Sequence, residues 1–146
     1  MIRALTTAAL LALTLPAAGQ STPSANYTDM WWNPSESGWG VNVTHQGDLV
    51  FATWFTYGSD GRGMWLVMPR GERTAAGTFT GDFYQTRGAP FSTSPWVGPT
   101  DNTLMGRGTF TFTTATTGTF AYTIGSVSQS KAITRQVFAA QESVCR

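Results

Sequence analysis

The chain has 146 residues, with nine Lys+Arg against eight Asp+Glu and a single histidine. One of those basic residues, Arg3, lies in the leader described next. The remaining eight basic residues balance the eight acidic ones, and the formal net charge falls from +1 to zero. A near-neutral chain with scattered arginines lacks the electrostatic motive for nucleic-acid binding, and a single Cys145 next to the last residue excludes an intrachain disulfide.

The order Met1-Ile2-Arg3, an apolar run over Ala4 to Leu15, and then Pro16-Ala17-Ala18-Gly19 is that of a cleavable secretory signal. The run is too short for a bilayer, which takes about 20 residues, so membrane insertion is not expected. We assign residues 1–19 to the signal, 20–26 to a flexible lead, 27–140 to a single β domain and 141–146 to a tail. The expected location is periplasmic or extracellular. In an oxidising compartment the Cys145 thiol is available for a disulfide dimer.

The segment Trp31-Trp32-Asn33-Pro34-Ser35-Glu36-Ser37-Gly38-Trp39-Gly40 carries three of the six tryptophans. Each covers roughly 150 to 250 Å² and has one N–H in need of a partner, so such a cluster serves either as core or as a ligand-stacking surface. Next, Trp39, Val41, Val43 and His45 alternate with Gly40, Asn42 and Thr44, which predicts a strand. After the turn at Gln46-Gly47-Asp48, Leu49 to Tyr57 is apolar on both faces and predicts a central strand. Asp60-Gly61 marks a hairpin. A third strand over Gly63 to Met68 is expected to stop at Pro69, which cannot donate to a ladder.

Gly77 to Gln85 predicts a strand with Phe79 and Phe83 on one face and Asp82 and Tyr84 on the other. Thr86 to Thr103, with three prolines, reads as a long loop. Strands return over Arg107 to Thr114, Thr119 to Ile124 after a turn around Gly118, Val127 to Lys131, and Ala132 to Ala139. Helical periodicity is absent. Seven or eight sequential strands joined by tight turns predict an all-β, antiparallel up-and-down meander, closed or nearly closed as a barrel, because closure removes exposed edges. A two-sheet β-sandwich is the alternative.

With these residues in view, the chain resembles a family of secreted bacterial proteins of no established activity. The likeness rests on Trp31 to Pro34, Ser37 to Gly40, Phe51 to Tyr57 with Asp60-Gly61, and Lys131-Ala132-Ile133-Thr134-Arg135. Arg62-Gly63 departs from it, since a proline is expected nearby. The resemblance implies secretion and one continuous domain, and it brings no catalytic residue.

No metal or cofactor motif is present: there is no His-Glu-x-x-His, no cysteine pair and no phosphate-binding glycine loop. His45 is the only imidazole, and zinc sites normally need several N or S ligands. Glu36 and Asp82 are the candidate carboxylate pair for a hydrolase, with His45 as a further candidate. Each also has a structural role open to it, Glu36 in its own turn and Asp82 against an arginine on a neighbouring strand. Lys131 and Arg135 share a strand face and are expected to close onto such carboxylates. The preferred reading is a secreted, non-enzymatic β-barrel domain that binds a ligand, glycan or protein partner at one barrel mouth and the adjacent Pro/Gly-rich loop. Trp31, Trp32, Asn33, Glu36, Trp39, His45 and Arg135 are the candidate contact residues. A secreted hydrolase and a purely structural module are the alternatives.

Overall fold

The structure, a computed structural model, describes residues 25–139. The signal over 1–19, most of the lead, and the tail with Cys145 lie outside the described residues. Eight strands follow in order: β1 (Asp29–Trp32), β2 (Gly40–Gln46), β3 (Leu49–Tyr57), β4 (Gly63–Ala75), β5 (Thr78–Gly88), β6 (Pro99–Phe112), β7 (Thr117–Ile124) and β8 (Val127–Arg135). Each pairs antiparallel with the next, and β8 returns to β1, so the sheet is a closed barrel and not a two-sheet sandwich. In this meander the β2–β3, β4–β5 and β6–β7 turns gather at one end, the hairpin end. The β1–β2, β3–β4, β5–β6 and β7–β8 connections gather at the other, the loop end.

The strands form where β-branched and aromatic residues alternate, because such side chains pack on a pleated, half-buried surface. In β2, Val41, Val43 and His45 are buried while Asn42 and Thr44 are exposed. The interior is filled with aromatic rings: Trp31, Phe79, Phe83, Phe110 and Phe120 have no exposed surface. Burying one such side chain stabilises the fold by about 1.5–3 kcal/mol, enough for a handful of them to hold a small domain together. Phe110 and Phe120 stack at 4.5 Å between ring centroids, and Phe83 meets Phe120 edge-on at 5.8 Å. Gly108 makes this possible, since a Cβ there would collide with the Phe83 ring and lie 3.2 Å from that of Phe120.

Five boundaries differ from the sequence expectation. First, β1 passes unnoticed in the sequence, because four residues are too short to show a period. Its register, Trp31 opposite Val41 and Arg135, is set by its neighbours. Second, β4 runs through Pro69. Between the pairs Ala52–Met68 and Val50–Gly71 it has two residues, Pro69 and Arg70, facing the single Phe51. That is a β-bulge, and it takes up the missing N–H.

Third, the expected loop over 86–103 shrinks to 89–98, because the polar pairs Thr86–Asn102 and Arg87–Asp101 continue the β5–β6 ladder without a hydrophobic period. Fourth, Gly118 lies inside β7, and the turn precedes it. There the Thr114 hydroxyl oxygen accepts from the N–H groups of Thr116 and Thr117 at 3.1 and 3.0 Å. Fifth, β8 is one strand that ends at Arg135, where two were expected.

Candidate functional site

The loop end carries a connected set of polar and aromatic groups. The β1–β2 connection turns at Asn33, whose side-chain oxygen accepts from Ser35 N–H at 2.9 Å while its carbonyl accepts from Glu36 N–H at 3.0 Å. This is an Asx-turn, with Pro34 supplying the fixed φ that favours it. Gly38, at φ +107°, brings the connection against Tyr57. A Cβ there would lie 3.2 Å from the tyrosine hydroxyl, in a backbone conformation L side chains avoid.

This turn delivers Glu36 over the barrel end. Its Oε2 accepts from Lys131 Nζ at 2.7 Å and from Trp39 Nε1 at 3.1 Å, and Lys131 Nζ lies 5.8 Å from the centroid of the Trp39 ring. Lys131 sits opposite Phe120 in the β7–β8 register, on the face that lines the core. Beneath the ion pair, Trp54 and Tyr122 pack with centroids 4.5 Å apart, and the Tyr122 hydroxyl donates to Gln129 Oε1. The Lys131 hydrogen bond holds the Glu36 carboxyl below the usual range, desolvation opposes this, and the Trp39 bond adds to it. Burial raises the Tyr122 phenol, with Lys131 pulling it down and Glu36 pushing it up. Trp54 is 5% exposed, and its indole N–H is buried with no acceptor.

The expected contact residues divide between the two ends. Asn33, Glu36 and Trp39 meet at the loop end. Trp32 lies half-buried, paired with Thr134 across the β1–β8 seam. Trp31 is wholly buried, its Nε1 donating to Tyr27 O at 2.9 Å, so it is scaffold with no surface for a partner. His45 stands at the hairpin end. Its Nδ1 accepts from Tyr27 N–H at 3.3 Å, and its Nε2 lies 2.8 Å from Gly47 O, partners that suit the tautomer with hydrogen on Nε2. The ring also stacks on Tyr27.

Arg135 is at that same end. It reaches Asp29 at 3.5 Å, donates to Asn26 O at 2.9 Å, and lies over the Trp31 ring. It borders a cleft of ≈ 550 Å³ shared with Thr116 and Phe138. Asp82, the second candidate carboxylate, pairs with Arg107 at 2.8 Å across β5–β6. Glu36 and Asp82 are therefore each engaged by a separate cation. Among the described residues no group of three or more His, Cys, Asp or Glu is arranged to hold a metal ion.

The tryptophans open to solvent are ones the sequence did not single out. Trp65 is 52% and Trp96 64% exposed, and Tyr57 and Phe91 are 57% and 97% exposed. Trp65 stands third in β4 opposite Phe55, Tyr57 ends β3, and Phe91 and Trp96 lie on the β5–β6 connection, so all four belong to the loop end. The alternation in Gly63 to Met68 holds the signal for Trp65: Leu66 and Met68 are buried while Trp65 and Val67 face outward. No family model matches the chain, and neither a curated protein nor a solved structure matches it.

Proposed function

We propose that the chain is a secreted, non-enzymatic barrel domain that binds a glycan at its loop end. The observation that carries this reading is the gathering of Tyr57, Trp65, Phe91 and Trp96, all more than half exposed, at one end of the barrel, where among the described residues Phe138 is the single other aromatic exposed to that degree. They are set among Thr56, Thr86, Ser92, Thr93, Ser94 and Asn102. Exposed indole and phenol faces offer flat apolar platforms, and hydroxyl and amide side chains between them offer hydrogen bonds. That mixture suits the alternating faces and hydroxyls of sugar rings better than a continuous aliphatic patch would. With the interior filled by Phe79, Phe83, Phe110 and Phe120, contact is assigned to the outer surface of this end. Support for secretion comes from the basic, apolar and small-residue order of residues 1–19.

The test is retention of the mature domain on a panel of immobilised polysaccharides. Wild type is expected to be retained, and the double variant Trp65→Ala/Trp96→Ala is expected to lose retention while its stability stays within about 0.5 kcal/mol, as for exposed substitutions elsewhere. Equal retention of the double variant, or no retention of wild type on any glycan, overturns the reading.

A further inference from the structure

Lys131 is an odd placement for a cation. It is the only lysine of the chain, and it occupies a core-facing position of β8 between Gln129 and Ile133, while the adjacent outward positions hold Ser130 and Ala132. A half-buried ammonium is tolerated only when an acceptor meets it. Arg107 meets Asp82, its register partner, Arg70 meets Glu72 on its own strand and Arg135 meets Asp29 on β1, while Arg73 meets Asp48 in the adjoining β2–β3 turn. The Lys131 acceptor instead comes from a turn 95 residues earlier in the chain. Glu36 can therefore leave by movement of residues 33–38 without breaking a rung of the sheet.

A second feature of the same place is an unmet donor. Trp54 is 95% buried, and its Nε1 has no acceptor, although leaving a buried donor unpaired is destabilising. Trp54 packs on Tyr122 and, edge-on at 5.0 Å between ring centroids, on Phe120, the register partner of Lys131, so it adjoins the stretch of β7 and β8 that carries the ammonium. Glu36 uses a single oxygen, Oε2, for both Lys131 and Trp39. The barrel end thus holds an ammonium and two indole N–H donors, and one loop carboxylate that serves two of the three.

We propose that Lys131, with the indole N–H groups of Trp39 and Trp54, forms a carboxylate-binding subsite in the loop end, and that Glu36 occupies it as an internal stand-in when no ligand is bound. This rests on the binding reading above and narrows it to glycans bearing a carboxylate, such as uronates. An incoming carboxylate has two oxygens and about four acceptor positions. It can replace Glu36 on Lys131 and Trp39 and still offer an acceptor to Trp54. Because the stand-in competes, the apparent affinity is reduced by the fraction of molecules in which the turn is displaced.

The experiment follows the six indole N–H signals by proton–nitrogen NMR while sodium acetate is added at fixed pH and ionic strength, with acetamide as the neutral isostere. The Trp39 and Trp54 signals, assigned through Trp39→Phe and Trp54→Phe, are expected to shift saturably with acetate and not with acetamide. Glu36→Ala is expected to tighten acetate binding by about tenfold or more, since it removes the competitor. Lys131→Met is expected to abolish it, and Lys131→Arg to retain it as a folded, charged control. No saturable shift in Glu36→Ala, or equal shifts with acetamide, overturns the proposal and leaves Glu36–Lys131 as a fixed closing ion pair. The Trp65→Ala/Trp96→Ala variant should still bind acetate. The subsite and the wider glycan surface therefore fail separately.

Discussion

Trp31 and Trp32 are adjacent and chemically identical, yet the strand pleat sends one into the core and leaves the other half-exposed beside Thr134. Trp31→Ala is expected to lower stability by about 3–5 kcal/mol, the usual loss for a large buried aromatic. Trp32→Ala should cost clearly less, and thermal melts of the two variants check the difference. Glu36 offers a pH test of its contact with Lys131. Its carboxyl is held below the usual range chiefly by the Lys131 hydrogen bond, so its folded value lies below its unfolded one. The contribution is then present above the ordinary glutamate range and is lost as pH falls through the lowered value. In an acid titration followed by NMR, the Glu36 carboxyl should titrate below a free glutamate, and Lys131→Met should move it back up. A midpoint unchanged by Lys131→Met would show that the two groups do not interact in solution.

At the scale of elements, the β5–β6 ladder illustrates how glycine makes room for aromatic packing. Gly108 lies against the rings of Phe83 and Phe120, so Gly108→Ala should overpack the core and cost about 1–3 kcal/mol. Urea denaturation measures this, and a neutral result would mean that the rings have space to retreat. The β4 bulge at Pro69-Arg70 is the other local device, setting two residues against Phe51 so that a proline fits within a long strand. The sequence contained the proline but not the bulge. Pro69 alone argues for a strand end, and only the partner register shows that the ladder resumes at Gly71.

The whole molecule closes through its shortest pairing. β1 meets β8 at only two register pairs, Trp31–Arg135 and Trp32–Thr134, helped by Gln136 N–H donating to Met30 O at 2.8 Å. The β5–β6 ladder, by contrast, runs unbroken across eleven pairs apart from two irregularities. Local opening follows the elements with fewest hydrogen bonds. Hydrogen–deuterium exchange is therefore expected to be fastest, among the strands, for amides of the β1–β8 seam and slowest for the centres of β5 and β6. Uniform protection around the barrel would contradict this and show that the seam is as strong as the rest.

The sequence by itself determined the all-β class, the order of the strands and most of the core, because period-two alternation and Gly-containing turns are local signals. Val41, Val43 and His45 in β2, and Phe79 and Phe83 in β5, were legible in this way, as was an arginine partner for Asp82. Which residues meet was decided by tertiary structure. Glu36 and Lys131 come together only because β8 closes on β1, while the run of β2 and β8 along the barrel carries His45 and Arg135 to the opposite end from Glu36 and Trp39. Exposure of Trp65 and burial of Trp31 likewise depend on which face of the pleat turns outward. A single strand cannot specify that face until its neighbours and the register between them are fixed.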